Sequence, residues 1–75
     1  MDHPVRIERM KQGLSQTALA RAAGIDASTI QAIEAGASGA VRSYILMGQA
    51  LKVDYRQLFP ADESSPPTYA ESAGG

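Results

Sequence analysis

Three times in this chain a large apolar residue stands directly before a short polar one, and a second apolar residue follows five positions after the first. The sets are Leu14-Ser15 with Leu19, Ile25-Asp26 with Ile30, and Val53-Asp54 with Leu58. A serine or aspartate oxygen can accept from an orphan N–H in the first turn of a helix. The apolar residues before the cap and four positions after it can clasp one another and set the entry angle of the chain. The repeated pattern predicts three helix starts, the last with Gln57 placed to complete a capping box. Gly13, Gly24 and Gly36 supply stops for the three segments that precede them.

With these boundaries the chain reads as all-α, a compact bundle of four to five helices. The first helix is expected from about Val5 to Gln12, after a frayed start in which Pro4 suits a first turn. Its apolar contacts are expected to be Val5, Ile7, Met10 and the following Leu14. Residues 37–40 read as a loop, and Val41 to Leu51 as a fourth helix turned inward through Val41, Tyr44, Ile45, Met47 or Gly48, and Leu51. A fifth helix, about Tyr55 to Phe59, ends before Pro60.

Residues 1–59 are read as one domain, and a chain of 75 residues leaves room for no second one. From Pro60 the composition shifts to PADESSPPTYAESAGG, rich in proline, serine, glycine and acid, which predicts a disordered tail. Pro66-Pro67-Thr68-Tyr69 matches the form of WW-domain ligands, but a chance match is the simpler reading. Met1-Asp2-His3 could chelate Cu(II) or Ni(II). One imidazole without further ligands argues instead for a histidine in a flexible end, and no metal or cofactor is expected. The absence of cysteine fits a reducing compartment, and no segment is long and apolar enough to span a bilayer, so a cytoplasmic protein is expected. Residues 1–59 hold seven basic side chains against five acidic ones, a net +2, while Asp62, Glu63 and Glu71 give the tail −3. A single histidine, no cysteine and no clustered carboxylates leave no acid, base and nucleophile set, so the chain is not read as an enzyme.

The centre of the chain, Gln16 to Gly36, combines two short helices with a sharp connection. Ala20 is small enough for two helix backbones to approach, Gly24 can take the left-handed turn conformation, and Ile30 anchors the second helix. That combination is a helix-turn-helix. The stretch GLSQTALARAAGIDASTIQAIEAG resembles the Cro/C1-type helix-turn-helix regulators of bacteria and their phages, including the lambdoid repressors, and the resemblance runs from about Val5 to Phe59.

The resemblance implies a lambda-repressor-like DNA-binding domain, a homodimer on a palindromic operator in double-stranded DNA, and a place at the nucleoid. It maps base contacts onto Ala27, Ser28, Thr29, Gln31 and Ala32, and phosphate contacts onto Ser15, Gln16 and Arg42. Gln31 could pair with adenine in bidentate fashion, and the alanine methyls could touch thymine methyls. It also implies an internal ion pair between Arg9 and Glu34, with Ala20, Gly24, Ile30 and Ile33 as scaffold, and, because the family frequently has glycine at the position of Lys52, a left-handed conformation there at a cost of roughly 1 kcal/mol, partly offset by a cation at a helix C-terminus. The helix face that carries Ser28, Ala32 and Ala35 is short-chained, without arginine for guanine, and the family's frequently basic loop is uncharged here at 37–40. A second reading stays open: a module on the same scaffold that docks another regulator through Ala27, Ser28, Ala32 and Ala35, or through the tail.

Overall fold

The structure, a computed structural model, describes residues 2–60. Four α-helices and a 3-10 turn follow one another: α1 Pro4–Lys11, α2 Gln16–Ala23, α3 Ala27–Glu34, α4 Val41–Leu51, and the turn Tyr55–Leu58. No strand occurs among the described residues. The expected tail, from Ala61 onward, lies outside them, as do the WW-like string and Met1 of the chelating triplet.

All four helices close in the same way. The residue after a left-handed position donates back to a carbonyl five residues earlier: Leu14 to Arg9 at 3.0 Å, Ile25 to Ala20 at 3.1 Å, Ala37 to Ala32 at 2.9 Å and Val53 to Gly48 at 3.0 Å. Such a closure satisfies carbonyls that the helix leaves orphaned. Gly24 has φ 75°, where a side chain would cost energy, and Lys52 is the one non-glycine at positive φ among the described residues, 61°.

The starts are less uniform than the sequence pattern suggests. Ser15 Oγ accepts from the Ala18 N–H at 3.0 Å, and Asp54 Oδ1 accepts from the Arg56 N–H at 2.9 Å. Asp26 occupies the cap position of α3, but its side chain makes no capping bond. The expected box with Gln57 is replaced by Asp54 alone. Its two oxygens also receive the Arg56 guanidinium at 2.7–3.2 Å, and the segment winds as a single 3-10 turn instead of an α-helix. Hydrogen bonds from Arg56 hold the Asp54 carboxyl down at about 2.

Burial concentrates on one side of each element. Val5, Leu19, Ala20, Ala23, Ile30, Ile33, Tyr44, Met47, Leu51 and Leu58 form the core, with α4 packed on α2 and on the 3-10 turn. Each of the large side chains contributes about 1.5–3 kcal/mol by leaving water. Four expected core residues are instead exposed: Ile7 and Met10 on α1, Val41 and Ile45 on α4. On α1 the reason is Arg9, which shares the inward face with Val5 and displaces the apolar stripe outward.

The amino terminus departs from the frayed start. His3 is buried, its Nδ1 accepts from the Val5 N–H at 3.1 Å, and its ring lies 6.4 Å from that of Tyr44. Tyr44 in turn stacks on Phe59 at 4.2 Å, so the two ends of the described chain meet across one tyrosine. Gln12 completes the attachment of α1, donating to the Leu51 carbonyl at 2.7 Å at the end of α4.

Two glycines are fixed by space. A Cβ at Gly39 would stand 2.7 Å from Ile33 Cδ1, and one at Gly48 would stand 2.9 Å from the Tyr55 Cα. The second obstacle is backbone and cannot rotate away. Gly48→Ala should therefore lower stability by about 1–2 kcal/mol, because overpacking outweighs the gain of up to about 1 kcal/mol in helix propensity. A thermal melt should fall by about 5 °C or more. A melt at or above that of the parent would mean that the 3-10 turn moves aside freely.

Candidate nucleic-acid interface

The face that can meet a groove is set by one brace. Arg9 lies on α1, yet its guanidinium reaches the far end of α3: Nε donates to Glu34 Oε2 at 2.8 Å and Nη2 donates to Glu34 Oε1 at 3.0 Å. Nη1 donates to the Leu14 carbonyl at 2.8 Å, in the link that leads into α2. Gln16, the first residue of α2, donates through Nε2 to Glu34 Oε1 at 3.1 Å. A planar fork is suited to a bidentate carboxylate with a donor to spare. The side chains of Arg9 and Glu34 are only 11% and 4% exposed.

Burial by itself would push the Glu34 carboxyl up. The hydrogen bonds from Arg9 and Gln16, together with the charges of Arg9 and Arg6, more than reverse this and leave it below the ordinary glutamate value. Arg9 is raised, chiefly by its hydrogen bond to Glu34. Both groups are therefore charged at neutral pH, and α3 is tied at its C-terminal end to α1 and to the start of α2.

At the other end α3 is held by packing. Ile30 and Ile33 are buried, as are Ala20 and Ala23 of α2, and Gly24 makes the turn between the two helices. This leaves Ser28, Gln31 and Ala32 exposed on the opposite side of α3. Ala27 and Thr29 are half-buried, Ala27 against the core. Ser15 is exposed with its oxygen engaged as a cap, Gln16 is half-buried on Glu34, and Arg42 is exposed in the first turn of α4.

Gln16 was legible as a polar residue at the start of α2, but its bond to Glu34 was not, since nothing local pairs residues 16 and 34. The same holds for the Leu14 carbonyl. Among the described residues no group of three or more His, Cys, Asp or Glu side chains is placed to hold a metal ion, and no helix is long and apolar enough to cross a membrane.

The brace has a sign that can be measured. Glu34 has a folded pKa below its unfolded value, so its contribution to stability is complete above about pH 4.3 and is lost as pH falls through the folded value. Glu34→Ala should cost about 3 kcal/mol at neutral pH, because it strands the Arg9 charge in a buried site, and should flatten the loss of stability at acid pH. The exchange Arg9→Glu with Glu34→Arg should recover only part of that cost, since a carboxylate at position 9 would face the Leu14 carbonyl. Strict additivity of the two single changes in denaturant melts would show that the pair is not coupled.

Residues 5–56 match the model of the helix-turn-helix family. No curated protein and no solved structure gives a match to the chain. The matched span runs from Val5, the first core residue of α1, into the 3-10 turn, and so contains the brace, both helices of the motif and Arg42. This chain belongs to the Cro/C1-type helix-turn-helix family, a family of DNA-binding transcription regulators rather than of enzymes.

Proposed function

We propose that the protein is a sequence-specific repressor that binds a palindromic operator as a homodimer, with α3 of each copy in successive major grooves about 34 Å apart. The observation that carries this reading is the exposure of Ser28, Gln31 and Ala32 on a helix held by the buried Arg9–Glu34 pair. Gln31 can donate and accept on an adenine edge, Ser28 and Thr29 can reach a base or a phosphate, and the methyls of Ala27 and Ala32 suit thymine. Arg42 supplies a charge for phosphate. Gln16 keeps one amide N–H and its carbonyl oxygen while donating to Glu34, and the Ser15 hydroxyl can donate while its oxygen caps α2.

With no lysine or arginine on α3 and an uncharged loop at 37–40, a single copy holds few phosphates. Affinity then depends on pairing two copies, and we place their contact at the exposed Val41 and Ile45, one turn apart on the helix that carries Arg42. Residues 1–59 act as the whole DNA-binding unit, working at the nucleoid in the cytoplasm.

The test is a gel-shift series over salt, with promoter DNA from beside the protein's own gene. Gln31→Ala should flatten discrimination between operator and mutated operator by about 1–3 kcal/mol. Arg42→Ala should weaken all sequences alike and reduce the slope of log affinity against log salt by about one unit. Wild-type binding no tighter than to an unrelated duplex, together with a protein partner lost on Ala32→Arg, would favour the docking module instead.

A further inference from the structure

Of the seven basic side chains, three are engaged: Arg9 is buried on Glu34, Lys11 lies 3.6 Å from Glu8, and Arg56 holds Asp54. Arg6, Arg21, Arg42 and Lys52 are exposed and form no ion pair among the described residues. Their places differ. Arg42 stands in the first turn of α4, whereas Lys52 closes that helix, roughly 15 Å away along its axis. Arg21 lies in the last turn of α2, at the opposite end from Gln16.

Arg6 is the free cation that stands beside the brace. It precedes Arg9 by three residues, which puts it on the neighbouring position of α1, one turn nearer the N-terminus. Arg9 Nη2 and Gln16 Nε2 both donate to Glu34 Oε1, so α1, the end of α3 and the first residue of α2 gather round one carboxylate. The Arg6 charge is near enough to that carboxylate to help lower its pKa. Arg9 occupies both Glu34 oxygens, and Arg6 is left without an anion of its own.

We propose that Arg6 is a further contact to the DNA backbone, on the stretch of strand that Gln16 meets. An exposed guanidinium offers forked donors and a fixed charge, which suit a phosphate. Such a contact is needed, because α3 carries no lysine or arginine and the 37–40 loop no charge, so Arg42 alone would hold the backbone thinly. Arg6 reads no base, and it adds affinity without sequence preference. Set on α1, which the Arg9–Glu34 bonds tie to α3, it also fixes the height of α3 over the groove. The inference rests on the reading of α3 as the helix that enters DNA.

The experiment titrates the full chain over a salt series against promoter DNA from beside its own gene and against an unrelated duplex, as wild type, Arg6→Gln, Arg42→Ala and Lys52→Gln. Arg6→Gln should melt with the parent, since the residue is exposed and unpaired. It should weaken binding to both duplexes about eightfold at 0.1 M salt and reduce the slope of log affinity against log salt by about one, the share of one phosphate. The preference for promoter DNA over the unrelated duplex should not move. Lys52→Gln removes the same charge at the far end of α4 and should leave the slope as it is. A slope unchanged by Arg6→Gln while Arg42→Ala lowers it would overturn the assignment and leave the reading of α3 intact. Equal losses in Arg6→Gln and Lys52→Gln would overturn it as well, because net charge alone would then account for the effect. Wild type without salt-dependent binding to either duplex would bring down the reading of α3, and the role of Arg6 with it.

Discussion

The fold depends on one buried ion pair whose partners lie 25 residues apart. Arg9 and Glu34 are costly to remove from water, and two extra hydrogen bonds, from Arg9 to the Leu14 carbonyl and from Gln16 to Glu34, offset that cost. The result joins α1, the entry to α2 and the far end of α3 at a single point. A hydrophobic contact in the same place would hold the helices together without fixing their angle. Directional bonds fix it, and the angle of α3 relative to α2 decides which side chains face outward.

The remaining elements need such help because each is short. Helices of eight residues are marginal alone, so α1, α2 and α3 persist only through packing and their ends. Tyr44 serves both ends of the chain at once, with His3 on one side and Phe59 on the other. Gly48 brings the 3-10 turn down onto α4 at a distance that a methyl group would not permit. These are contacts of shape, and they lie away from the exposed side of α3.

Much of the fold was legible because its signals are local. The apolar-polar pairs at 14–15, 25–26 and 53–54 marked real helix starts, and the left-handed Lys52 followed from the resemblance to a family that frequently has glycine there. The resemblance pointed to Arg9 and Glu34, which no periodicity could have paired. What local pattern misread is instructive. Ile7 and Met10 look like core residues at helical spacing, yet a buried arginine took the inward face. His3 looks like a loose end, yet it caps α1, because the residue that buries it is 41 positions away. Gly48, inside an otherwise regular helix, is the kind of glycine that flags close backbone approach, but its partner Tyr55 could not be named from spacing. For the interface the exposed face of α3 was legible from its period, whereas the engagement of Gln16 was not.

Leu14, Ile25 and Val53 each close one helix through a backbone bond and stand immediately before the cap of the next. The same residue thus ends one element and begins another, and these connections have no spare length. No helix can unwind without loosening its neighbour, so the domain is built to open as a unit, with amide protons in α1, α2 and α3 exchanging through a common event rather than one helix at a time. Among the links between the described helices, the 37–40 segment is the longest and best able to absorb added residues, and even there Gly39 is pinned against Ile33 and Tyr44. A chain joined in this manner can vary its exposed side chains freely while its linkers stay fixed in length.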